Sequence, residues 1–67
     1  MKIKTEEIPG NKIQEIEISE GSTYEDVLLN LEINPETVLL LNNGQAVPLD
    51  GTVAPGSIKI LHVALGG

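Results

Sequence analysis

Met1, Ile3 and Thr5 alternate with Lys2, Lys4 and Glu6, the period-two pattern of a half-buried strand. Pro9-Gly10-Asn11 then brings three turn formers together: one fixes φ, one frees it, and one bonds its side chain to the backbone. Beyond them Gln14-Glu15-Ile16-Glu17-Ile18 alternates again, with Ile16 and Ile18 on one face. Ile13 is out of phase with that pair, which predicts a bulge or an early twist at its position. Two alternating runs around a short glycine-containing turn predict a β-hairpin.

The period changes after Gly21. Tyr24, Val27, Leu28 and Leu31 recur at i, i+3, i+4 and i+7, one face of an amphipathic helix. Thr23 can cap its first turn, and Ser22 could do so with Glu25 as a capping box. Glu25 and Asp26 stand where the positive end of the helix dipole favours carboxylates. Asn34-Pro35 is the expected stop, because a residue before proline is pushed out of helical geometry. A helix of about two to three turns is too short to stand without packing on a sheet.

Thr37-Val38-Leu39-Leu40-Leu41 reads as a third strand, and Asn43-Gly44 is a strong hairpin signal. A short fourth strand, Gln45-Ala46-Val47, stops at Pro48, which fits only an edge or an end. Asp50-Gly51 and Pro55-Gly56 mark two further turns. The fifth strand covers residues 57–63. One apolar helix stripe has to cover one face of the sheet. The β-grasp satisfies this pattern: an α+β fold with a mixed sheet of four to five strands, one helix on one face, and the first and last strands parallel in the middle. Residues 1–63 form that domain, and 64–67 are expected to be a flexible diglycine tail.

Composition narrows the function. Sixty-seven residues make one small domain with a modest core. Ile, Leu and Val are about a third of the chain, enough to form a packed interior. There is no cysteine, so disulfides, thiolate metal sites and a cysteine nucleophile are excluded together. Ten acidic residues against four lysines give a formal charge of −6. Such a chain repels phosphate backbones and anionic lipid, so neither nucleic acid nor a membrane is an expected partner. A basic protein surface is. The charged start lacks the apolar run of a signal peptide, and the expected location is the cytoplasm.

Nothing resembles a self-contained active site, and no catalytic residue or metal ligand is assigned. Glu6 and Glu7 point to opposite faces if they lie in a strand. His62 shares the parity of Ile58 and Ile60, which reads as a semi-buried strand position. A lone imidazole lacks partners for a metal. Gly44, Gly51 and Gly56 follow turn formers rather than open helices, so no phosphate loop is implied. The lysines at 2, 4, 12 and 59 are too dispersed in sequence to suggest a basic patch.

The end of the sequence is different. Gly66-Gly67 follows the last strand as a lead without side chains to an α-carboxylate, and glycine permits threading of a channel that a Cβ would block. A free carboxylate is a poor acyl donor, but adenylyl transfer from ATP activates it for attack by a thiolate or an amine. The competing reading is a frayed chain end.

The layout resembles ubiquitin-like sulfur carriers and modifiers: the molybdopterin synthase small subunit, the thiamine-biosynthesis sulfur carrier and, most closely, the small archaeal modifier proteins. The resemblance covers essentially the whole chain. It rests on Gly21-Ser22-Thr23-Tyr24-Glu25-Asp26, Asn34-Pro35, Asn43-Gly44 with Val47-Pro48, and Ile58-Lys59-Ile60-Leu61 leading to Gly66-Gly67. It implies that the protein is not an enzyme but the co-substrate of an E1-like adenylating enzyme, with Mg-ATP used by that enzyme. Activation falls on Gly67, followed by thiocarboxylate formation or an isopeptide bond to a target lysine. Gly66, Leu65 and Ala64 would line the enzyme channel. Ala64-Leu65 stands where ubiquitin carries arginine, which favours the sulfur-carrier branch. The acceptor is then a sulfur-acceptor enzyme, in tRNA thiolation or in molybdopterin or thiamine biosynthesis, or else a protein lysine.

Strand parity adds a surface. With Ile58 and Ile60 towards the helix, Lys59, Leu61 and Val63 face away, and Leu39 and Leu41 join them, with Val38 and Leu40 in the core. That aliphatic face is the candidate partner-binding face, although a one-residue register slip would reverse every assignment. A non-covalent β-grasp interaction module is the alternative to a carrier or modifier.

Overall fold

The computed structural model describes residues 1–63. The expected tail, residues 64–67, lies outside the described residues. Two antiparallel strands open the fold, β1 (Lys2–Ile8) and β2 (Lys12–Glu17). They are followed by helix α1 (Tyr24–Asn30), a 3₁₀ turn (Pro35–Thr37), and strands β3 (Val38–Asn42), β4 (Gln45–Ala46) and β5 (Gly56–His62). The sheet order is β2-β1-β5-β3-β4, with β1 and β5 parallel at the centre and the other pairs antiparallel. The Asn43-Gly44 turn between β3 and β4 has φ of 53° and 79°, the pair of positive values that a type I′ hairpin demands.

The alternation read from the sequence sorts the two faces as expected. Ile3, Thr5, Leu40, Ile58 and Ile60 are buried, and they close on Tyr24, Val27 and Leu28 from α1. Val53, from the connection into β5, and Ile18, just past β2, complete this core, and Ile16, Leu31, Ile33 and Val38 pack at its margin. Burying each large aliphatic side chain contributes about 1.5–3 kcal/mol. Truncating Leu28 to alanine removes about 2–5 kcal/mol in a domain with little margin.

Ile13 corrects one expectation. The β1–β2 register runs without interruption from Lys2 opposite Glu17 to Glu7 opposite Lys12, so there is no bulge. Ile13 is out of phase because it lies on the other face of the sheet, opposite Glu6, and it is 56% exposed.

The helix also ends differently. Glu32 takes φ of 61°, its amide donates to the Leu29 carbonyl, and the Ile33 amide donates to Leu28 at 2.9 Å. This is a Schellman closure, which satisfies the last carbonyls and folds Ile33 back over the buried Leu28. The helix therefore stops at Asn30, before Asn34-Pro35. That pair starts the 3₁₀ turn instead, with Asn34 Oδ1 accepting from the Glu36 amide at 3.0 Å.

At the other end the cap is Thr23, with Asp26 rather than Glu25 as its partner. Thr23 Oγ1 accepts from the Asp26 amide at 3.2 Å, and Asp26 Oδ2 accepts from the Thr23 amide at 2.9 Å. The two amides in between donate outside the helix, Tyr24 to the Gly51 carbonyl and Glu25 to Leu49. The segment that enters β5 is thus bonded to the start of α1, and the Val53 amide donates back to Ser22.

Glu32 makes the helix stop testable. An L-residue in left-handed geometry costs about 1–2 kcal/mol, and the extra unfolded-state freedom of glycine offsets part of that. Glu32→Gly should raise the unfolding free energy by about 0.5–1 kcal/mol in urea denaturation, and a loss of stability would contradict the closure described.

Candidate functional site

The face of the sheet away from α1 is built by parity from all five strands. In one row Ile13 lies opposite Glu6, Glu6 opposite Lys59, Lys59 opposite Leu41, and Leu41 opposite Ala46. In the next row Ile8 pairs with Leu61 and Leu61 with Leu39. Leu39, Leu41, Lys59 and Leu61, expected to share this face, do share it. Leu39 is 42% exposed, Lys59 is exposed, and Leu41 and Leu61 are half-buried. Val63 is half-buried one residue past β5, with its amide donating to the Thr37 carbonyl at 3.0 Å. Ala64, Leu65, Gly66 and Gly67 lie outside the described residues.

Ile8 and Ile13 extend the aliphatic surface beyond the residues expected. The signal for Ile13 was its own phase break, which marks a change of face as readily as a bulge. A shallow cleft beside it is lined by Lys4, Glu6, Ser57 and Lys59 over the central strands. Lys2 and Lys4 of β1 share this face with Lys59 of β5, far from them in sequence. Glu17, Glu15 and Glu6 stand opposite them in register, so the charge is mixed in sign rather than basic.

On the helix side, His62 and Glu7 are in contact. His62 Nε2 lies 2.9 Å from Glu7 Oε1, with side-chain exposures of 36% and 17%. Glu6 and Glu7 do diverge to opposite faces, as expected of strand neighbours. Among the described residues no cluster of three or more His, Asp or Glu could hold a metal ion, and no helix is long and apolar enough to cross a membrane.

A mixed five-stranded sheet with parallel central strands and a single helix on one face defines a β-grasp protein of the ubiquitin-like class. The solved structure of Caldiarchaeum subterraneum ubiquitin superimposes with a TM-score of 0.74 at 26% identity, covering 100% of this chain and 98% of that one. The sequence also matches the family of small archaeal modifier protein 2 over residues 1–64, and the chain belongs to that family. Small archaeal modifier protein 2 of Haloferax volcanii is 30% identical over 63 residues, covering 94% of this chain and 96% of the relative. An uncharacterized protein of Archaeoglobus fulgidus is 38% identical over 53 residues, covering 79% and 78%. The family is one of modifiers rather than catalytic enzymes.

The two faces separate cleanly under substitution. Leu40→Asp places a carboxylate in the buried core, at a cost of about 4 kcal/mol or more, and should abolish the cooperative thermal transition followed by circular dichroism. Leu61→Asp, on the uncovered face, should cost about 1–2 kcal/mol and leave a folded protein. The reverse ranking would mean that the register is slipped by one.

Proposed function

We propose that the protein is a ubiquitin-like modifier and sulfur carrier whose reactive group is the Gly67 α-carboxylate. An E1-like adenylating enzyme uses Mg-ATP: the carboxylate attacks the α-phosphorus, pyrophosphate leaves, and an acyl-adenylate forms at Gly67. Hydrosulfide then displaces AMP to give a thiocarboxylate, or a target lysine amine displaces it to give an isopeptide bond. Gly66, Leu65 and Ala64 pass through the enzyme's channel, which glycine suits because nothing projects from its Cα. The enzyme docks on Leu39, Leu41, Lys59, Leu61 and Val63. The reaction takes place in the cytoplasm.

The observation that supports this reading best is the family match over residues 1–64, on a β-grasp whose last strand, Gly56–His62, is followed in the sequence by Leu65-Gly66-Gly67. The uncovered aliphatic rows add to it, since contiguous apolar surface of this kind marks partner sites. Both fates of the acyl-adenylate use the same activated carbon and differ only in the acceptor. The Ala64-Leu65 sequence before the glycines favours sulfur transfer in tRNA thiolation or in molybdopterin or thiamine biosynthesis.

Deleting Gly67 should reduce ATP–pyrophosphate exchange with the cognate adenylating enzyme to background while leaving the melting transition unchanged. Undiminished exchange would sink the reading and leave a non-covalent interaction module in its place. Intact mass of protein from the native cell distinguishes the two fates. Oxygen-to-sulfur replacement at the terminus marks carrier use, and adducts on other proteins mark modification.

A further inference from the structure

We propose that Glu7 and His62 are positioning residues: together they hold the last residue of β5 and so fix the point from which the chain departs towards Gly66-Gly67. The proposal rests on Gly67 being the activated group.

The reason lies in how the central ladder ends. The β1–β5 pairing runs from Ile3 opposite Gly56 to Ile8 opposite Leu61, and then β1 turns away at Pro9-Gly10-Asn11. His62 is therefore the first residue of β5 with no backbone partner from β1. On its other flank the antiparallel ladder with β3 still holds it, opposite Val38, and the Val63 amide donates to Thr37 at 3.0 Å. One side of the strand end is bonded and the other is not.

The Glu7–His62 contact supplies the missing side. Glu7 lies opposite Ile60, so His62 is its diagonal neighbour two residues further along the same face. Its Nε2 reaches Glu7 Oε1 at 2.9 Å, with Glu7 largely shielded from water. Lys12, opposite Glu7 on β2, is the other charged group in register there, and it is exposed. Among the described residues Glu7 has no ion pair with it.

A strand end tied on both flanks needs no further ordering up to Val63 when the chain enters an enzyme channel. A strand end tied on one flank frays, and each extra residue that has to be ordered weakens binding. The chemistry at Gly67 is four residues beyond Val63 and is untouched by the contact. The expected signature is consequently a change in KM for the carrier rather than in kcat.

His62→Leu and Glu7→Leu should each raise KM for the protein in ATP–pyrophosphate exchange by about three- to tenfold, the range set by one partly shielded hydrogen bond. The value of kcat should stay within about twofold. His62→Gln keeps an amide donor near the Nε2 position and should retain the KM of the parent. Hydrogen exchange adds a readout independent of activity: the Val63 amide should exchange faster in both leucine variants, with the buried Thr5 and Ile60 amides unchanged. Unaltered KM and Val63 protection in the leucine variants would overturn the proposal. So would equal losses in kcat and KM with exchange accelerated throughout, which would mark a purely structural role. If the parent protein supports no exchange of pyrophosphate, the reading of Gly67 fails, and Val63 protection alone then decides whether the strand end is held.

Discussion

The parallel pairing of β1 and β5 is the constraint on which the rest of the molecule depends. Parallel neighbours cannot be joined by a tight turn, so the chain has to leave the sheet and return by a crossover. Everything between the two strands is arranged around that demand. Helix α1 is the crossover element, and its apolar stripe covers the face that β1 and β5 present. The β3–β4 hairpin fills the remaining flank of β5, and β2 fills the remaining flank of β1. Ile3, Thr5, Ile58 and Ile60 sit at the middle of both the sheet and the core for this single reason.

The same arrangement explains why one face is covered and the other is not. The described residues form one α-helix, and one helix covers one side. The uncovered side combines Ile8, Leu39, Leu41 and Leu61 with a charged block in which lysines and glutamates alternate across strands. The aliphatic rows are left for a partner. The central strand β5 takes part in both faces: Ile58 and Ile60 hold the core, while Lys59 and Leu61 look outward.

Most of this was legible in residue order because strand alternation is a strong physical signal. Val38 and Leu40 against Leu39 and Leu41, and Ile58 and Ile60 against Lys59 and Leu61, fell on the faces that parity assigned. The Asn43-Gly44 turn was equally plain, since few residues accept two positive φ values in succession. Among the features misread, two have reasons that can be identified. Ile13 broke phase with Ile16, and hydrophobicity alone does not tell a bulge from an apolar residue on the outer face. The helix ended at Asn30 in a closure through Glu32, which adopts the left-handed geometry without being glycine, so the proline farther on looked like the terminator. The Glu7–His62 contact could not be read at all. It depends on the offset between two strands that are 55 positions apart in sequence, and only the parallel register reveals it.

The central ladder has a mechanical consequence as well. The first strand begins near one end of the chain, the last strand runs towards the other, and the two lie side by side pointing the same way. A pull on the two ends in opposite directions therefore loads the strands in shear, so that the bonds between them share the force instead of opening one by one like a zipper. A molecule dragged by its terminus would resist extension most strongly at this seam, before the outer hairpins or the helix begin to unravel.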